Sequence, residues 1–423
     1  MVFARPKKRM SLRQRLKALL SDRRGNVLIL ASAGMPLLIG SAGLAIDTVQ
    51  LSLMKRHLQR AADSAALAGA YSKAQRRTEA EVGSAVTKAL GFSDAYPATA
   101  TVTYPQNMFA GLAVKVALKA ERTTPFMSFF TGSKPVIEVE ATAALVYSGK
   151  YCMVSLDEGS SFPGITFGGS ATVNLGCGII SNTGGANAVN VNSSGNGQAT
   201  SVTASPIAAV GGVPTSTAYK QPTLLLPYSL KQEDPFKDVP EPNPTSACQP
   251  MITDRSAAPV PGGCYKGMDV DKTLTLSPGT YYIAGDLTLN ANANITAHGV
   301  TFVFTTDPAA STSYYPKIAI DGNAKLDLTA PTYGDYEGII MYYDKDAPAQ
   351  GHWINGNSNM KLEGAFYFPT QNLTFNGRSG MQTSCIQLVA YRLTFEGNTT
   401  INNQCPSGGG AKSFDATWVR LVA

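Results

Sequence analysis

The sequence predicts a single N-terminal transmembrane helix continuing into a small α/β module, followed by an all-β domain. Three observations carry that fold class. Residues 27–46 are twenty in a row without an ionisable side chain. Between residues 99 and 147, three stretches alternate apolar and polar side chains. Beyond residue 150, short apolar strands recur between Gly-Asn and Gly-Ser turns. The all-β part is expected to be a β-solenoid, similar to a parallel β-helix, with a β-sandwich as the rival architecture.

At about 1.5 Å per residue, a twenty-residue helix is roughly 30 Å long, the thickness of a bilayer's hydrocarbon core. A helix also satisfies its own backbone groups in lipid. Val27, Leu30, Pro36, Gly40 and Ile46 mark this anchor. Nine basic residues precede it (Arg5, Lys7, Lys8, Arg9, Arg13, Arg15, Lys17, Arg23 and Arg24) against a single acid, Asp22. That asymmetry keeps the amino terminus in the cytoplasm and sends the remainder outside. The apolar run is longer than a signal-peptide core and lacks a clean small-x-small cleavage site, so the anchor is read as uncleaved. The basic head accounts for the whole of the formal net charge of +6, and the remainder is close to neutral. No basic patch therefore points to nucleic acid.

After the anchor, Leu44, Leu51, Leu58 and Ala65 repeat every seven residues, with Met54, Ala61 and Ala68 between them. Such a seam suits either another helix or the protein's own outer module. Gly34, Gly40 and Gly43 around Pro36 permit close helix contact inside the membrane.

The strings RRGNVLIL, GLAID and LQRAADSAALAGA contribute Arg24, Gly25, Asn26, Gly43, Leu44, Ala45, Asp47, Leu58, Gln59, Ala61, Ala62, Asp63, Ala65, Ala66, Leu67, Ala68, Gly69 and Ala70. This pattern resembles the amino-terminal signature of the TadE/TadG-like proteins of tight-adherence (Flp) pilus assembly. The resemblance implies a single-pass protein of the bacterial inner membrane, with its bulk periplasmic or surface-exposed. It implies a non-catalytic component of the assembly apparatus. Its partners would be the inner membrane, other pilus-assembly proteins or pilin, and further copies of itself through the anchor helix. Leu51 joins the motif residues in the helix seam. Two features depart from the family's wider pattern. Prepilin-like members carry Glu five residues beyond a processed Gly, whereas Leu30 stands five beyond Gly25. Larger members carry a D-x-S-x-S metal site, and the nearest string here, from Asp157 to Ser161, has Gly159 in place of the first Ser.

The expected organisation is a basic cytoplasmic head (1–26), the transmembrane helix (27–46), a TadE/G-like periplasmic α/β module (47–148) and a first β-rich segment (149–204). A Pro-rich excursion or linker (205–262) and the main solenoid-like domain (263–423) complete it. Within the module, residues 73–90 read as a second helix and 99–104, 112–120 and 136–147 as half-buried strands. The insert at 123–132 is expected to form one helical turn whose Phe126, Met127, Phe129 and Phe130 cover the sheet. Contact of that aromatic cluster with the membrane or a partner is the alternative. In the all-β part, Gly356, Gly377 and Gly397 are spaced 21 and 20 residues apart, the repeat of a solenoid coil. Eleven of the 25 prolines fall in residues 205–262, which excludes that stretch from a central sheet.

All six cysteines (Cys152, Cys177, Cys248, Cys264, Cys385 and Cys405) follow residue 150. An even number on the exported side suggests disulfides. Neighbour pairing, 152–177, 248–264 and 385–405, is one arrangement among the fifteen that six cysteines allow, and the sequence does not select it. There is no C-x-x-C, and His57, His298 and His352 are scattered, so neither a metal nor a cofactor is expected. Asp321 with Asp327, and Asp344 with Asp346, are the acids best placed for glycosidase chemistry. None comes with a positioned His or a nucleophile motif, so no catalytic residue is assigned. Two other functions remain open: a surface adhesin or matrix-binding protein, and a membrane-tethered polysaccharide-active enzyme. Tyr314, Tyr315, Tyr333, Tyr336 and Trp353 either grip polysaccharide or another envelope protein or simply seal the bases of loops.

Overall fold

The computed structural model describes residues 13, 17, 26–75, 77–91, 97–105, 113–192, 200–257, 259–356, 360–377, 381–403 and 414–422. Cys405 and the basic head other than Arg13, Lys17 and Asn26, Gly25 included, lie outside these residues. The chain forms two compact units, one of Met1–Leu145 with Val419–Ala423 and the other of Val146–Trp418.

In the first unit a single helix, α1 (Asn26–Ala74), runs unbroken through the apolar stretch and the alanine-rich segment. Among the described residues it is the one helix long and apolar enough to cross a membrane. From Leu30 to Ala42 no side chain is buried, and burial begins at Gly43 and Asp47. Beyond them Met54, Leu58, Ala62, Ala65, Ala66 and Ala70 are buried. The expected heptad is thus rotated toward Ala62 and Ala66, and Ala61 and Ala68 are only half-buried. A straight helix at 3.6 residues per turn drifts away from a strict seven-residue repeat, which accounts for the rotation.

The second helix, α2 (Glu79–Leu90), begins later than residue 73 because α1 itself continues to Ala74. Thr78 caps it: its hydroxyl accepts the Glu81 N–H, and the Glu81 carboxylate accepts the Thr78 N–H, a reciprocal capping box. Val82 and Val86 are its buried face. Strands β1 (Thr99–Thr103), β2 (Ala113–Glu121) and β3 (Val136–Ser155) pair antiparallel in that order. Val114, Val116, Leu118, Ile137, Val139 and Ala141 are buried, as the period of two requires. On the opposite face Lys119 pairs with Glu138 at 2.7 Å and Lys115 with Glu140 at 2.8 Å. The returning terminus closes on this sheet, the Val422 N–H donating to the Thr142 carbonyl at 2.9 Å. A short helix, α3 (Met127–Thr131), occupies the insert between β2 and β3.

In the second unit every described strand pairing is parallel. The pairings form three ladders that the chain visits in cyclic order. Gly279–Ile283, Leu287–Leu289 and Asn294–His298 pair in turn with Val300–Phe304, Ile318–Ile320 and Lys325–Thr329. Such parallel ladders differ from the antiparallel pairs of the usual β-sandwich. Along the first ladder the strands run from Gly263–Tyr265 to residues 388–390, and the next partner is β3 at residues 153–155. The chain therefore enters the stack in its middle, builds one end through residues 207–209 and 225–226, and returns to the far end near residue 252.

Side chains on the second ladder stack in register. Val270, Leu289, Ile320, Ile354, Phe375, Phe395, Phe167 and Val191 form one continuous buried column, save the half-buried Val191. Ring centroids in its aromatic part lie 5.4 Å and 5.2 Å apart, close to the strand spacing of about 4.8 Å. Gly356, Gly377 and Gly397 stand opposite one another in the same ladder. Gly397 has φ +65°, and a Cβ there would come within 2.9 Å of the Gly377 carbonyl oxygen, so only glycine suits that corner.

The proline-rich stretch is not a free linker. Ile207–Ala209 and Leu225–Leu226 still add strands to the first ladder. Past them the chain lies along the outside of that ladder as a strap. The Asn182 side-chain amide bonds both the N–H and the C=O of Gln232, Tyr367 donates to Asp234 at 2.6 Å, and Lys345 donates to the carbonyls of Lys237 and Val239. Phe236 packs edge-on against Tyr367 at 5.3 Å. Beneath the strap Tyr151, Val154, Ile180, Val303, Tyr342, Tyr367 and Val389 form a second apolar cluster. Ladder strands such as Val300–Phe304 and Ile339–Tyr343 are thereby buried on both faces, which explains their continuous apolar sequences. Cys152–Cys177 and Cys248–Cys264 are disulfides, the second pinning the end of the strap. Cys385 is also disulfide-bonded.

Candidate functional site

The residues singled out in the helix motif gather where α1 meets its own module. Asp47 ends the apolar run and is fully buried. Its Oδ2 accepts the backbone N–H groups of Phe126 at 2.9 Å and Met127 at 2.6 Å. A carboxylate suits this position because it satisfies two donors at the start of α3 at once. One turn earlier on α1, a Cβ on Gly43 would fall 2.2 Å from the Phe126 ring, so glycine is what lets the ring lie against the helix backbone. The sequence marked both Gly43 and Asp47. The link it did not reveal is their common partner, the insert some eighty residues away.

Farther along, Gln59 bridges the helix and the sheet, donating to Asp63 Oδ1 and to the Glu140 carbonyl, both at 2.9 Å. The alanine run allows α1 to lie close on α2 and β2. Gly69 marks the tightest approach: a Cβ there would sit 2.8 Å from a Val86 methyl and 2.9 Å from a Val114 methyl. The seam docks on the protein's own module. Leu44, Val49 and Leu53, on other faces of α1, stay exposed. Leu51 and Leu67 are half-buried.

The insert departs from expectation. Phe126 and Met127 are half-buried, but Phe129 is 81% exposed and Phe130 67% exposed, so neither covers the sheet. With Asp47 holding the first turn and Gly132 closing the last in a left-handed conformation, α3 turns these two rings outward.

In the second unit the acids mostly serve turns. Asp321 accepts the Asn323 N–H at 3.0 Å, and Asp344 accepts the Asp346 N–H at 3.0 Å and the Thr305 hydroxyl at 2.7 Å. Asp327 lies 3.4 Å from His298. Asp157, the first residue of the string compared with a metal motif, is committed elsewhere. Its carboxylate accepts the Gly159 N–H at 2.8 Å and Arg392 Nε at 2.6 Å. Burial pushes that carboxyl up, but these bonds, a further one from Tyr391 and the Arg392 charge together hold it below the usual carboxylate range. Among the described residues no group of His, Cys, Asp and Glu is arranged to hold a metal. His57 is exposed, whereas His352 is buried beside the rings of Tyr343 (4.8 Å) and Phe368 (5.8 Å), and burial pushes its pKa down to about 4.

The five aromatics considered for sugar binding divide. Tyr336 is buried against Tyr342, and Tyr315 packs on the core. Tyr314, Tyr333 and Trp353 remain exposed. Tyr314 donates to Asp286, which pushes its pKa up to about 12.

A family model for the TadE/G-like Flp pilus-assembly domain matches residues 25–75, a span that covers α1 from end to end. No curated protein and no solved structure matches the chain.

Proposed function

We propose that this protein is a non-catalytic, membrane-anchored component of a tight-adherence (Flp) pilus assembly apparatus, with its β-rich unit exported to bind partners. The TadE/G-like segment at residues 25–75 is the observation that carries this function. The anchor is supported by the bare apolar length of α1 and by the nine basic residues before it, which favour an amino terminus in the cytoplasm and the bulk in the periplasm or at the surface. The inner membrane, other apparatus proteins or pilin, and further copies through the exposed faces of the anchor are the partners. We read the three parallel ladders as the faces of a β-solenoid, because each coil buries its inward side chains only on its neighbours. The turn-forming duties of Asp321 and Asp344 favour a role without catalysis. A second function, surface adhesion, is favoured by the exposed rings of Tyr333 and Trp353, a chemistry suited to stacking on sugars.

Crosslinking intact cells that express the tagged full-length chain, then purifying it from membranes, tests the assembly role. Co-purification of pilin or other pilus-apparatus proteins is expected. Recovery of the chain from the soluble fraction, or from membranes without any such protein, would contradict it.

A further inference from the structure

We propose that the insert at residues 123–132 is a second membrane contact, placing Phe129 and Phe130 in the outer interface of the bilayer that α1 crosses. This rests on the anchor assignment above and adds to it a lipid-binding element that lies far from α1 in sequence.

Asp47 is the first ionisable residue beyond the apolar run, so it marks the outer edge of the hydrocarbon core. The insert is fixed at that level, because Phe126 and Met127 both donate to Asp47. The Phe126 ring reaches lower still, to Gly43, about 6 Å toward the membrane at ~1.5 Å per residue. Being five residues long, α3 extends about 7.5 Å, so Phe129 and Phe130 cannot leave the headgroup zone, which is itself roughly 5–8 Å deep. No side chain on α1 from Leu30 to Ala42 is buried, and the insert supplies the protein contact at Gly43, where burial begins.

Two adjacent phenylalanines at 81% and 67% exposure, packed edge to face at 5.5 Å, form an apolar knob that water disfavours. Exposed Lys134 follows them and suits lipid phosphates at the same level. A knob of this composition fits the boundary between headgroups and acyl chains, where amphipathic elements bury aromatic side chains to a depth of about 5–10 Å. The insert thus gives the first unit a second point of attachment beside the helix.

Tryptophan reporters in the full-length protein test this, in nanodiscs of phosphatidylethanolamine and phosphatidylglycerol whose acyl chains carry bromine near the headgroup. The unvaried protein, with Trp353 and Trp418, supplies the baseline emission. Phe129→Trp is expected to lose most of its added emission to the brominated lipid and little to aqueous iodide. Leu38→Trp, within the apolar run, is the control for the anchor. If Leu38→Trp is quenched by bromine and Phe129→Trp only by iodide, the insert stands in water and the proposal is overturned while the anchor stands. If Phe129→Trp resists both quenchers, another protein surface covers the knob, and the lipid contact is again wrong. If bromine quenches neither reporter, the anchor assignment fails and the proposal falls with it.

Discussion

At the scale of single residues, His352 gives the clearest handle. It is neutral in the folded chain because burial lowers its pKa to about 4, whereas an unfolded chain titrates it near 6.5. Between those values the unfolded state binds a proton that the folded state does not. Stability from this residue is therefore complete above about pH 6.5 and falls as the pH drops toward 4, by about 3 kcal/mol in total. His352→Phe keeps a ring beside Tyr343 and Phe368 and removes the titration. Urea-unfolding midpoints of the β-rich unit at pH 7 and pH 4.5 are expected to differ less in this variant than in the unvaried chain. An equal fall in both would show that the histidine is not the group responsible. Nothing local in the sequence hints at this burial: a lone histidine in GHWING reads as readily exposed as stacked among the rings of Tyr343 and Phe368 from other strands. Asp157 was equally opaque, since its partner Arg392 is more than two hundred residues away.

Among the elements, the apolar length and small residues of α1 were legible because they are local, whereas its seven-residue seam was only partly so, since Leu44 is exposed and Ala61 and Ala68 are half-buried. What periodicity alone left open was the surface that the small residues meet. Gly69 lies against Val86 and Val114, so Gly69→Leu is expected to force α1 away from α2 and β2, at a cost of about 2 kcal/mol. Limited proteolysis of the full chain should then cut within residues 75–121 faster than in the unvaried protein, with the β-rich unit's digestion pattern unchanged. Unaltered cleavage would mean that the close approach does not hold the module together. The spacings of 21 and 20 residues between Gly356, Gly377 and Gly397 were likewise legible, since these glycines stand opposite one another in one ladder. The strap left no such trace. Proline ruled out a central strand, but the bonds that tie residues 232–239 to Asn182, Tyr367 and Lys345 come from three segments far from the strap in sequence. The insert misled for a related reason: phenylalanines are usually covered, and only the fold reveals that α3 turns Phe129 and Phe130 outward.

For the whole molecule, the two units divide the work that the proposed function requires. The first carries the TadE/G-like helix and the features suited to a membrane; the second offers a surface built on parallel ladders, stapled by disulfides and bound by a strap. Neither half alone distinguishes a pilus component from an adhesin sharing the same anchor. An in-frame deletion of the gene separates them directly, read by blotting sheared surface fractions for the major pilin and by scoring attachment of cells. An assembly component predicts loss of both filaments and attachment, each restored by the intact full-length chain. Filaments that persist at normal levels in the deletion strain would contradict the assembly role, whatever happens to attachment.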